Sequence, residues 1–400
     1  SSTQNPSETQ ALIAEVLGLN NMDVEVQIRR MGGAFGGKET QGNHVAIWAS
    51  LLAQRTKRPV KIRLFRDDDQ KMTGKRHRYV NKFKVGYNSD GRIQALWTEL
   101  NADAGSATDL SMAVLERAMM HAENAYYIPD IDIIGNAWFT NLPSNTAFRG
   151  FGGPQGMASM EQIIDIIARK LNIDSAEIRK RNLYGETDNN ITPYDQVVNN
   201  NRLHVIYDQL ISSSDYTKRR KAIDVFNTET EFYKKGMAIT PVKFGISFTT
   251  SFLNQAGALV NIYKDGTVLI NHGGTEMGQG LYTKLKQIAA IELGINIDSV
   301  KVNTTNTSKV PNTSATAASA GTDLNGMAVK DATDKLKSRM AQVVTTYFNE
   351  GKGEESNISN IIFSDSRVVD SANPDRSIPF KDAVIKTYLS QVSLGATGFY

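Results

Sequence analysis

The sequence predicts an α+β protein of two mixed α/β subdomains in which glycine-rich loops feed helices. Three observations carry this. Segments of period-two and period-3.6 hydrophobicity are intermixed along the whole chain, with no repeat of solenoid length. Three loops of glycines and small residues, 32–38, 150–156 and 273–280, each run directly into a helical pattern. And 400 residues exceed what one typical core organises, so two domains are expected, 1–190 and 191–400.

In chain order, Ser7 and Gln10 have capping-box spacing and open a helix that ends near Gly18. Val24, Val26 and Ile28 alternate with Glu25, Gln27 and Arg29, which predicts a half-buried strand. The loop Met31-Gly-Gly-Ala-Phe-Gly-Gly-Lys-Glu39 leads into a helix through His44, Ile47, Trp48 and Leu51. Residues 59–65 alternate again, with Val60, Ile62 and Leu64 on one face. Strands at 79–85 and 93–99 flank a turn at Asn88-Ser-Asp-Gly91. A helix is expected over 110–120 and an apolar strand over 131–139.

Met160, Ile163, Ile164 and Ile167 lie on one face of a helix over 157–170, and a second helix covers 175–183. The Asn-rich stretch 185–201 is the expected boundary. Helices at 202–213 and 215–229 follow, then strands at 237–249 and 258–263, and a hairpin turn at Asp265-Gly266. The loop 273–280 enters a helix with Leu281, Leu285, Ile288 and Ala289 on one face. A fourth small-residue loop, 312–321, precedes a helix over 324–347, and 351–373 reads as a polar surface excursion.

Composition sets limits. The 45 basic and 42 acidic residues give a net charge of +3, which argues against a dedicated nucleic-acid surface. There is no cysteine, which excludes disulfides and cysteine-ligated metal within these residues. No apolar run reaches the length of a membrane span, and no secretory leader is visible. The chain begins without Met and stops at Gly398-Phe399-Tyr400, so a fragment of a longer protein is expected.

The densest stretch is Ser144 to Met157, with four glycines, Arg149, Phe148 and Phe151 ahead of a helix. Backbone N–H groups at a helix N-terminus suit an anion, and an arginine adds a planar, multiply donating charge. Several such loops together suit one large polyanionic ligand. Gly32-x-x-x-x-Gly37-Lys38 has P-loop spacing, but Glu39 stands where a hydroxyl should hold Mg²⁺, which weakens that alternative. Glu39 and Arg117 read, taken singly, as solvated helix positions, and Phe248 as core. The five histidines show no metal-ligand spacing.

Taken together, Arg30-Met-Gly-Gly-Ala-Phe-Gly-Gly-Lys-Glu39, Thr140 to Gly156, Asn254-Gln-Ala-Gly257, His272-Gly-Gly-Thr-Glu-Met-Gly-Gln-Gly280 and Pro311 to Ser319 resemble the molybdenum-cofactor domain of the xanthine dehydrogenase and aldehyde oxidase family. The resemblance runs the length of the chain. It implies two molybdopterin-binding subdomains and a molybdopterin (Mo) cofactor. Phe35, Gly36, Arg149 and Ala318 match positions beside the metal centre, reached through the backbone. Gln279, Lys284 and Ser319 match pterin-binding positions.

The same resemblance implies substrate contacts at Glu39, Arg117, Phe151, Phe248 and Thr249. Glu39 and Arg117 look like the charged pair used on purines, where aldehyde oxidases carry apolar residues. The implied reaction oxidises hypoxanthine to xanthine and xanthine to urate, with Arg117 stabilising charge on the purine oxygen. In the full-length protein, electrons would leave through two [2Fe–2S] clusters and FAD to NAD, in a homodimer free of membrane and nucleic acid. The cytoplasm is the expected compartment, with the peroxisome second. The family's glutamate base and its redox domains fall outside this chain, so these 400 residues alone are expected to be inactive. An upstream glutamine that contacts the metal is also read as missing. Ala34 replaces a usual glycine, and Gly321 a serine that contacts the pterin.

Overall fold

A computed structural model describes residues 1–350 and 355–400. They pack as two compact units. One is Thr73–Gly245, and the other joins Ser1–Met72 to Ile246–Tyr400. The stretch 185–201 therefore lies inside the first unit, because the chain from Ile246 onward packs with the N-terminal residues.

The Thr73–Gly245 unit is built on a three-stranded sheet. Tyr79–Tyr87 pairs antiparallel with Ile93–Gly105, which pairs parallel with Asp130–Phe139. The hairpin turn is the expected one, with Gly91 donating to the Asn88 carbonyl at 2.9 Å. Gly91 has φ +85°, and a Cβ there would lie 2.3 Å from Ile178, so glycine is required. The parallel pair is joined through the helix Ser111–Met119, which packs Leu115 and Ala118 on Leu100 and Ala102. The helix Gly153–Leu171 buries Met160, Ile163, Ile164 and Ile167 against Ile93, Leu96 and Tyr126. Ser175–Asn182, Leu203–Ser213 and Tyr216–Glu229 complete its helices among the described residues.

The discontinuous unit holds a four-stranded sheet ordered Gly395–Phe399, Gly257–Ile262, Val268–His272 and Val300–Val302. The last pair is parallel and joined by the helix Leu281–Leu293. The long helix Gly321–Asn349 covers the sheet, with Ala328, Val329, Ala332 and Leu336 in the core. A Cβ at Gly398 would lie 1.9 Å from the Ala328 carbonyl, so that glycine sets how closely strand and helix approach.

Five local expectations are corrected. The helix Pro6–Leu17 is capped by Asn5, whose side chain accepts from Glu8 N–H at 3.3 Å, while Ser7 Oγ accepts from Thr313 N–H at 3.0 Å. Of the strand expected over 23–29 only Gln27–Ile28 pairs, with Thr305–Asn306. Residues 59–65 and 237–249 alternate in hydrophobicity but form no strand. Of the expected surface excursion, 351–354 lie outside the described residues, and the rest carries an antiparallel meander, Ile361–Ser364, Arg367–Asp370 and Asn373–Pro379.

Candidate cofactor and substrate site

In the discontinuous unit the small-residue loops meet around Gln4, which is 2% exposed. Its side-chain oxygen accepts from Gly36 N–H at 3.0 Å and Lys38 N–H at 3.3 Å, and its amide donates to the Thr316 carbonyl at 3.0 Å. Its backbone bonds the same two loops, Gln4 N–H to the Lys38 carbonyl at 2.8 Å and Thr316 N–H to the Gln4 carbonyl at 2.9 Å. The 273–280 loop joins them through Met31 N–H to the Glu276 carbonyl, 2.9 Å, and Thr275 N–H to Thr316 Oγ1, 2.8 Å. Ser247 N–H donates to the Ala318 carbonyl at 2.9 Å, which brings in the segment of Phe248. Asn254 clamps Phe248 by accepting its N–H and donating to its carbonyl, both at 2.9 Å. Nothing in the sequence pattern marked Gln4.

Backbone strain gathers on the positions singled out from sequence. Phe35, Ala318 and Ser319 have φ of 57°, 54° and 55°, in the left-handed region that side chains rarely adopt. Phe35 is 59% exposed, whereas Glu39 is buried at 7%. Thr249 and Ser319 are exposed. The helix Gly321–Asn349 follows Ser319 directly, and its N-cap Ala320 makes no side-chain cap.

The 273–280 loop differs from expectation. Several of its N–H groups are bonded within the chain: the Glu276 carboxylate accepts from Gly278 at 2.8 Å and Gly280 at 3.1 Å, and from Tyr282 just beyond at 3.0 Å. Gln279 accepts from Met277 N–H at 2.6 Å and donates to the Thr275 carbonyl at 2.9 Å. The helix Leu281–Leu293 thus carries its own anion, and Gln279 and Lys284 stay exposed beside it. Two buried polar atoms there have no partner among the described residues, Thr275 Oγ1 and His272 Nε2. Burial pushes the His272 pKa down to about 4.

In the Thr73–Gly245 unit, Arg117 stands in the last turn of Ser111–Met119, 6% exposed. Its guanidinium donates to the Gly245 carbonyl at 2.6 Å and lies 5.5 Å from the centre of the Phe244 ring. Burial lowers its pKa, opposed by Tyr194. Arg149 is exposed, and its carbonyl accepts from Arg76 at 2.7 Å. Phe151 has φ 48° and donates its N–H to the Phe148 carbonyl at 2.7 Å. The neighbouring glycines set helix approach. A Cβ at Gly152 would lie 2.0 Å from the Val114 carbonyl, and one at Gly156 2.3 Å from that of Ala118. Among the described residues no group of three His, Asp or Glu side chains forms a metal site.

Residues 1–183 and 209–400 match two family models, each described as a molybdopterin cofactor-binding domain. The chain is 44% identical over 400 residues to the xanthine dehydrogenase of Dictyostelium discoideum, covering all of this chain and 27% of that protein. It is 48% identical over 347 residues to xanthine dehydrogenase 1 of Arabidopsis thaliana, covering 87% of this chain and 25% of that one. The chain thus spans about a quarter of the length of these curated relatives. Among solved structures, quinoline 2-oxidoreductase from Pseudomonas putida 86 superposes with a TM-score of 0.86 at 22% identity, over all of this chain and 52% of that one. The aldehyde oxidoreductase from Desulfovibrio gigas gives 0.75 at 22%, over all of this chain and 40% of that one, so both establish the fold. With both halves matched by models of one kind, the chain belongs to the molybdopterin cofactor-binding domain family.

Proposed function

We propose that this chain is the molybdenum-cofactor portion of a purine hydroxylase that oxidises hypoxanthine to xanthine and xanthine to urate. In the full-length protein, electrons would pass through [2Fe–2S] clusters and FAD to NAD, in a cytoplasmic homodimer. Two linear halves, 1–190 and 191–400, would each carry part of the cofactor contacts.

The residues present fit a pyranopterin with its phosphate. The strained pair Ala318–Ser319 precedes a helix start without a side-chain cap, which suits an anion. Thr275 Oγ1 and His272 Nε2 are buried polar atoms awaiting partners. Gln279, Lys284 and Ser319 would hold the pterin end. Phe35, Gly36, Arg149 and Ala318 would lie beside the metal through their backbones. Gln4, bonded to the Gly36 loop, is the candidate for the glutamine read as missing. When bound, the cofactor supplies the two-electron oxidation of the substrate carbon.

The chain's own groups would then bind and orient the purine. Phe151 and Phe248 offer ring faces. Thr249 would donate a hydrogen bond, and Glu39 would accept a purine N–H. The observation that carries the proposal is Arg117, a buried guanidinium fixed on a main-chain carbonyl at 2.6 Å. A desolvated, preorganised cation would stabilise charge building on a purine oxygen, and the resemblance places apolar residues at this position in aldehyde oxidases.

The test uses the full-length holoenzyme with its molybdenum measured, comparing hypoxanthine with an aromatic aldehyde. Arg117→Met should lower purine kcat by about 10²–10³-fold, the cost of one such donor, and spare the aldehyde. Wild-type preference for the aldehyde would instead assign an aldehyde oxidase.

A further inference from the structure

We infer that His121 is a positioning residue for Arg117. The inference rests on the purine reading above and adds a group that neither the sequence nor the family resemblance singled out. His121 follows Arg117 by one helical turn and is 4% exposed. Its Nδ1 lies 2.7 Å from the Arg117 carbonyl, and its Nε2 is 3.3 Å from Gly245 N–H. A carbonyl only accepts and an N–H only donates, so the ring is neutral, with its proton on Nδ1. Gly245 in turn offers its carbonyl to the Arg117 guanidinium. Three hydrogen bonds thus close a circuit from the Arg117 backbone through the imidazole to Gly245 and back to the Arg117 side chain. Phe244 lies in the middle, 5.5 Å from the guanidinium carbon and 5.0 Å from the imidazole centre.

The turn after Arg117 grips the 241–245 segment at further points. Asn124 donates to the Pro241 carbonyl at 2.9 Å and accepts from Lys243 N–H at 3.2 Å, and the Lys243 ammonium pairs with Glu123. The residue whose carbonyl must aim a guanidinium is thereby held on its N-terminal side, by His121 on the Gly245 N–H and by the anchored residues before it. Burial, with Lys243 and Arg117 as the neighbouring cations, lowers the His121 pKa to about 4 and keeps the ring neutral, while its two partners fix the tautomer.

The test is made on the full-length holoenzyme. His121→Asn has the amide chemistry of the circuit but is too short to span it, whereas His121→Gln reaches both partners. His121→Asn should lower purine kcat about tenfold or more and weaken urate binding in equilibrium dialysis. It should leave aldehyde kcat, molybdenum content and the thermal midpoint within twofold or a few degrees of wild type. His121→Gln should recover most of the loss. Equal losses on both substrates, lost molybdenum, or no difference between the two variants would overturn the assignment, with Arg117→Met still showing its purine defect. If Arg117→Met itself leaves purine turnover intact, the purine reading fails and the assignment falls with it.

Discussion

The side-chain oxygen of Gln4 accepts two backbone N–H groups from the glycine loop, Gly36 at 3.0 Å and Lys38 at 3.3 Å, while its amide donates to Thr316 on another loop 312 residues away in sequence. One buried side chain therefore fixes the spacing of two loops whose strained backbones, at Phe35 and Ala318–Ser319, carry positions proposed to face the cofactor. Gln4→Glu keeps the size and the acceptor but loses the donor to Thr316. It sets a buried carboxylate oxygen against a carbonyl. Such an unpaired contact costs about 1–3 kcal/mol. The expected outcome in the full-length protein is a lower molybdenum-to-protein ratio at unchanged yield. A full molybdenum complement in Gln4→Glu would remove Gln4 from the cofactor's support.

The helices and the glycine loops were legible because their signals are local. Met160 to Ile167 shows one face of a helix, and Gly91 marks the turn its φ requires. The strands over 59–65 and 237–249 were misread because alternation reports a half-buried extended segment and says nothing of a pairing partner. Gln4 carries no periodic signal, being one polar residue between Thr3 and Asn5. Arg117 and Gly245, 128 positions apart, meet only through tertiary packing. The satisfied 273–280 loop could have been foreseen. Glu276 sits inside the motif, within reach of the N–H groups that the glycines expose.

His272 makes acid stability testable. Its imidazole is 1% exposed, accepts from Gly274 N–H at 3.1 Å, and meets the Tyr282 ring edge-on at 5.1 Å. Burial holds its pKa near 4, against an unfolded value of about 6.5. Above pH 6.5 both states are neutral and the group contributes nothing to pH dependence. Between pH 6.5 and about 4 the unfolded chain takes up the proton and the folded one does not, so stability falls with pH, by about 2 kcal/mol between pH 7 and 5 from this group. His121 and His77, also lowered by burial, act in the same direction. The thermal midpoint should therefore drop on going from pH 7 to 5, and drop less in His272→Gln. An equal drop in both would show that His272 does not titrate in this window.

Glu123 is fully buried, and it meets the Lys243 ammonium and the Tyr184 hydroxyl, the latter at 3.2 Å. Lys243 also reaches the Tyr194 hydroxyl at 3.1 Å. Removing one member of a buried ion pair strands the other's charge, which costs about 3–5 kcal/mol, whereas replacing both by apolar groups of similar volume is close to neutral. Lys243→Met alone should thus lower the thermal midpoint sharply, and Lys243→Met with Glu123→Leu should recover much of it. Because this pair anchors the segment that ends at Gly245, the single variant should, on the proposed purine reading, also weaken purine turnover more than aldehyde turnover in the full-length holoenzyme. A double variant no more stable than Lys243→Met would mean that the carboxylate, through Tyr184, and not the pairing, is what the fold requires at this position.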